Sequence, residues 1–346
     1  MKNCLLTVVL FILIDIPVAL CQKSNPVEYM NKIGEAHRSV TKEFLDYTSA
    51  VSHGKSARKV EKRRSELFGS LNSAKAKVKN LQPFEKTDAS YRDASLEYLN
   101  LCNIILKEDY GKIVDMEEIA EQSYDNMEAY LLAQDKANEK LEEAAVRLDI
   151  AEKQFAANHN VTLLETKSEL SQKAEKVGKV NNYYHIIYLV FFKSYKQEAY
   201  LVTSIEEKNI NSIEQNKNSL EKISSEGLSR LDTMKSFMGD ASLNVSCKKM
   251  LQFCQKESKE KVPVLTDFIL KNEQLEKMKK AIDSKPQAQR TKTDTDNFNK
   301  AVNEFNIAVN NYNKVNKELN DTRNKLINDW NNTATSFMDR HMPFSK

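Results

Sequence analysis

The chain is poor in residues that interrupt helices. Among 346 residues there are 7 glycines and 6 prolines, and no proline lies between Pro83 and Pro263. A sheet protein of this size needs many more turn residues, so the scarcity excludes a β-rich fold. An excess of one charge is also lacking. The 52 basic and 49 acidic residues leave a net charge of +3. No global field draws this chain to nucleic acid or to an anionic membrane, so any electrostatic function must be carried by a local patch.

Catalytic and metal-binding signatures are missing too. The five histidines are His37, His53, His159, His185 and His341, and none stands three or four residues from another. No Glu-x-x-His, H-E-x-x-H, C-x-x-C or G-x-S-x-G occurs, nor any glycine loop for a nucleotide phosphate. The metal, nucleophile and cofactor motifs that a sequence can reveal are therefore absent. The expectation is a protein that is not an enzyme, with no cofactor and no metal. His37 falls on an apolar stripe and is expected to be a hydrogen-bonded core residue.

What is present begins with "MKNCLLTVVLFILIDIPVALCQ". Lys2 precedes an apolar run from Leu5 to Ile14, Pro17 follows, and the small residues Ala19 and Cys21 fit a cleavage site before Gln22. This pattern predicts a cleaved export signal over residues 1–21. The run is too short to span a bilayer. Lipid attachment at Cys21 is disfavoured because Leu20 is not small. Cys102, Cys247 and Cys254 would then remain, an odd number that implies no disulfide framework. Cys247 and Cys254 lie two helical turns apart, roughly 10.5 Å of rise, beyond the ~7 Å reach of a disulfide. Whether Cys102 pairs with either is left open. The reading for all three is a buried or half-buried thiol without a catalytic role.

Helical periodicity covers nearly all of the remaining chain. Met30, Ile33, His37, Val40, Phe44, Tyr47 and Val51 form one stripe after Asn25-Pro26, and Gly54 supplies a stop. A second stripe runs from Val60 to Leu81 and ends before Pro83. A third helix begins at Thr87 or Asp88 and continues toward Gly111. The fourth is marked by Met116, Ile119, Met127, Tyr130, Leu141, Leu148 and Phe155, and "AANHN" at 156–160 breaks the pattern. Beyond it, helices are expected over 163–205 and 210–237, then two shorter ones split at Pro263, a polar linker at 283–297, and a long last helix from Phe298 to Phe337. The fold predicted is all-α, an elongated bundle of about eight helices, several longer than 35 residues. Its expected domains are an N-terminal bundle over 22–158 and a C-terminal bundle over 159–346. Both halves read as about four helices, but no convincing sequence repeat relates them.

Two stretches depart from this plain pattern. "YYHIIYLVFF" at 183–192 is apolar all round for nearly three turns, which marks a helix buried on every side or an interface. The other is "GKSARKVEKRR" at 54–64. At about 100° per residue, Lys55, Arg58, Lys59 and Lys62 share one side, Arg63 sits at its edge, and Ala57 and Val60 face the opposite way. This puts cations in the first turns of a helix, the end where the macrodipole disfavours them. Arg58/Lys62 and Lys59/Arg63 are moreover like-charge pairs four apart. Two fates are open for the cluster: ion pairs with Glu43 and Asp46 of the preceding helix, or an outward anion-binding face. Nucleic-acid binders add interleaved aromatics or a wider basic face, and neither is here. Arg64 projects toward the apolar stripe and should either snorkel or meet a buried carboxylate.

Residues 25–64, "NPVEYMNKIGEAHRSVTKEFLDYTSAVSHGKSARKVEKRR", resemble the N-terminal signature of an uncharacterised bacterial family, the leptospiral-type surface proteins. The resemblance implies an exported protein of the bacterial periplasm or outer cell surface, and it carries over no catalytic residue. The functional expectation is a non-enzymatic helical envelope protein. It would bind a protein partner or an anionic envelope component through Lys55, Arg58, Lys59, Lys62 and Arg63, with no nucleic-acid partner and at most peripheral membrane contact. The alternative is a helical scaffold for an apolar ligand, or a membrane-interacting segment, around 183–192.

Overall fold

A computed structural model describes residues 25–109, 122–164 and 168–344. The expected signal peptide lies outside these residues, as do Met116 and Ile119 of the expected fourth helix. The described chain is all-α. Its helices are α1 (Asn25–Ser52), α2 (Ala57–Lys79), α3 (Ser90–Ile104), α4 (Tyr124–Asn158), α5 (Glu169–Glu206), α6 (Ile210–Thr233), α7 (Ser242–Lys256), α8 (Val262–Asp283) and α9 (Lys292–His341). They include helices of 35, 38 and 50 residues, α4, α5 and α9. Single π turns follow α3 and α7, at Ile105–Asp109 and Glu257–Lys261.

Local chemistry explains most of the boundaries. Ser123 and Asn209 cap α4 and α6 by accepting from Asn126 N and Ser212 N at 3.1 Å each, as N-cap residues do. Thr291 and Asp294 cap the start of α9 reciprocally. Asp294 N donates to Thr291 Oγ1, and Thr291 N donates to Asp294 Oδ2. The polar linker is therefore shorter than its composition suggests. Pro263 does not separate two helices by a loop. It sits in the first turn of α8, where its missing N–H is harmless, and the π turn before it absorbs the change of register.

The chain divides into two compact units. One holds the described residues up to Ile186 together with those from Ala334 onward, and the other is Ile187–Thr333. In the first unit α1 packs on α2, α2 on α3 and α3 on α4. Tyr29, Phe84 and Phe155 make one aromatic cluster, with ring centroids 5.2–5.5 Å apart. His159 joins it and bonds Asp88 at 3.0 Å. His37 is buried and shares a 2.7 Å hydrogen bond with Ser95, as its stripe position predicts. In the second unit α6 packs on α7 and on the π turn after it. Phe191 stacks on Trp330 with centroids 4.2 Å apart. Gly227 lets the helices approach. A Cβ there would lie 2.5 Å from Leu251 and 3.0 Å from Val190.

The structure relates the two units in a way the sequence did not disclose. Helices α1 and α5 both end in a Schellman motif, closed by Lys55 N to Ala50 O and by Asn209 N to Ser204 O. The left-handed residue is Gly54 in one and Lys208 in the other. Counted back from these ends, the buried residues coincide: Ile33 with Ile187, Val40 with Ser194, Tyr47 with Leu201, Val51 with Ile205. Along α2 and α6, Leu67 matches Leu220, Leu71 matches Ser224 and Val78 matches Leu231. Helices α3 and α7 are 15 residues each, start after Asp-Ala and run into a five-residue π turn. Asp88 and Asp240 each accept from the backbone N–H of the serine two residues on. Cys102 and Cys254 occupy the same position, two residues before the helix end.

Candidate functional site

The basic stretch is built by the turn between α1 and α2. Gly54, at φ 59, takes the left-handed conformation that closes α1, and Lys55 supplies the closing N–H. Ser56 then precedes α2 without capping it through its side chain. The buried face of α2 starts only at Leu67. Ala57 is exposed and Val60 half-buried, so the inner stripe expected for the first two turns is not packed. These turns therefore offer most of their surface to solvent.

The five expected site residues separate into two groups. Lys55, Arg58, Lys59 and Lys62 are exposed. Lys62 lies 3.8 Å from Glu66, and Lys55, Arg58 and Lys59 make no ion pair among the described residues. Arg63 instead turns inward. Its Nη1 is 2.9 Å from Glu66 and 3.3 Å from Asp46 of α1. The internal clasp and the outward face thus coexist, divided between Arg63 and the other four. Nearby Glu43 carries no clasp. Burial lifts its carboxyl above the ordinary range, and repulsion from Asp46 and Glu66 adds to the lift. Arg64 snorkels rather than meeting a buried acid: it holds Glu61 through two bonds of 2.7 and 2.9 Å and lies over the Phe68 ring.

The stretch 183–192 is largely enclosed. Tyr184, His185, Ile187, Tyr188, Val190, Phe191 and Phe192 are all buried. No helix among the described residues is long and apolar enough to cross a membrane.

A second polar constellation lies inside the second unit and was not anticipated. Glu198 on α5, Glu257 at the start of the second π turn and Arg323 on α9 form one cluster. Arg323 Nε donates to Glu198, its Nη2 donates to Glu257 at 3.0 Å, and its Nη1 donates to Asn320. Glu198 is 2% exposed and Glu257 1%. Burial, then repulsion from Glu198, pushes the Glu257 carboxyl up to about 8. Burial raises Glu198 too, against the pull of Arg323. The buried thiol of Cys254 is raised by burial and then by these two carboxylates. One signal in the sequence pointed here. Glu198 occupies the stripe position between Tyr195 and Val202, where an apolar residue is due.

Cys102, Cys247 and Cys254 are free and buried, and among the described residues no group of His, Cys, Asp and Glu is placed to hold a metal ion. Compared with protein-family profiles, with curated proteins and with solved structures, the chain finds no match.

Proposed function

We propose that the protein is an exported, non-enzymatic helical component of a bacterial cell envelope that binds an anionic envelope component or acidic partner. The contact face is the start of α2, formed by Lys55, Arg58, Lys59 and Lys62. The observation that carries this reading is the placement of these four cations. Arg58 and Lys59 project into solvent from the first turn of α2, the helix end that repels them, at a cost of about 0.3–1 kcal/mol each; Lys55 and Lys62 flank them, and Lys55, Arg58 and Lys59 have no acidic partner among the described residues. An anion bound there would complement both the side chains and the free N–H groups of the first turn. Arg63 belongs to the support, since it ties α2 to Asp46. The export signal and the resemblance over 25–64 support the location.

The test replaces Lys55, Arg58, Lys59 and Lys62 with Gln and leaves Arg63 in place. Binding to lipopolysaccharide or to cells should be lost, the wild-type binding should weaken with salt, and circular dichroism should show an unchanged fold. A folded variant that binds as well as wild type rules the face out.

A further inference from the structure

The buried cluster of the second unit has an unbalanced charge. Two buried carboxyls, Glu198 and Glu257, meet one half-buried guanidinium, Arg323. No N–H or O–H donor of the described residues reaches Glu257 Oε2. Glu198 is bound by the same guanidinium, so both buried carboxyls face one cation. Ionised carboxylates only accept, and two of them exceed the single cation. One proton held by the pair turns an acceptor into a donor and neutralises the cluster.

The other groups around the site do not supply that charge. From α7 it meets the buried thiol of Cys254, with Cys247 further along the helix. From α9 it meets Asn320, which is neutral. On α6, Glu221 pairs with Lys259 at 3.4 Å. On the π turn, Lys261 is engaged by Glu318 at 2.8 Å. The π turn itself is a feature that recurs at functional sites in helices.

We propose that Glu198, Glu257 and Arg323 form a proton-binding site built into the second unit, whose single shared proton locks the π turn against α5 and α9. Release carries the proton from the carboxyl pair to solvent. It leaves two buried carboxylates on one guanidinium, and their repulsion loosens the turn. The direction of the pH response follows. The folded unit holds the proton up to about pH 8, whereas an unfolded glutamate gives it up near 4.5. The stability supplied by the site is therefore complete below about 4.5 and is lost as pH climbs toward about 8.

Infrared spectroscopy in D2O tests the site through the carbonyl stretch of a protonated carboxylic acid. The wild type should show this band near neutral pH and lose it on passing through about pH 8. Glu257→Gln and Glu198→Gln should each lack it, because the remaining carboxylate is matched by Arg323. Glu152, also buried, contributes equally to all three proteins, so the difference between wild type and variant is what is read. If neither variant folds, the wild-type titration decides alone. A band absent at neutral pH, unmoved through about pH 8, or kept at full strength in both variants overturns the proposal. Stabilisation by added sodium or potassium without the band would assign the site to a cation instead, and would overturn it too.

Discussion

Where α1 of the first unit buries Phe44, α5 of the second buries Glu198. Where the first π turn opens on buried Ile105, the second opens on buried Glu257. The two registers correspond when counted from the shared helix ends, so the same frame carries an apolar pair in one unit and two acids in the other. A further pair differs in the same way. His37 and Ser95 share a hydrogen bond in the first unit, and the matching residues of the second are Phe191 and Cys247. At these two places each unit buries polar groups where the other is apolar. The frame is set by helix lengths, caps and π turns, and it tolerates either chemistry at its centre. Buried ion clusters often add no more stability than well-packed apolar side chains of similar volume, so stability alone does not call for the acids of the second unit.

The largest expected effect comes from breaking the cluster. Arg323→Met leaves two buried carboxyls without their cation and should cost about 3–5 kcal/mol in denaturant unfolding. Making the pair apolar, as it is in the first unit, with Glu198→Leu and Glu257→Leu added to Arg323→Met, should recover that loss or exceed it. A triple variant that stays as unstable as the single one would show that the acids are needed for packing.

A smaller effect separates the units by pH. Burial holds the His37 imidazole down at about 4. An unfolded chain binds this proton near 6.5, so the folded unit binds fewer protons in between, and the contribution of His37 is lost as pH falls from about 6.5 to about 4. Replacing the pair with that of the second unit, His37→Phe with Ser95→Cys, should remove this loss. The stability difference between variant and wild type should shift by about 1.4 kcal/mol per pH unit across the window. A difference that stays constant with pH would mean that His37 does not titrate as its burial requires. The second unit should respond in the opposite direction, weakening as pH rises.

The smallest effect lies at the helix ends. Lys208 at φ 55 holds the position that Gly54 holds at φ 59. Lys208→Gly should stabilise by about 1 kcal/mol, and Gly54→Lys should destabilise by a similar amount. Thermal melts of the two variants check both signs.

Much of the frame was legible before the structure. The 3-4 spacing, Gly54, Pro83 and the break at 156–160 each mark a physical event in a helix, and His37 announced its burial by its place in a stripe. For the basic stretch the sequence left the clasp and the outward face both open, because local rules place the charge at a helix end but not its partner. The clasp by Arg63 was only half legible, since the choice between Asp46 and solvent depends on how two helices cross. The buried cluster was hidden because Glu198, Glu257 and Arg323 are far apart along the chain, and only folding brings them together. The correspondence between the units was hidden for a related reason. Burial, not residue identity, is what repeats, so Val40 answers to Ser194 and Tyr47 to Leu201. The shared traces are the Asp-Ala-Ser that opens α3 and α7 and a cysteine near the end of each helix.

Those cysteines have a practical consequence. A thiol that is fully buried reacts only when its surroundings open, so its labelling rate is a clock for local unfolding. Cys102 times the first unit, while Cys247 and Cys254 time the second, and Cys254 touches the acid cluster through its electrostatics. The protein therefore carries an internal reporter in each half. Mass spectrometry of the labelled wild-type chain can follow the two halves breathing separately, without a probe being added to either.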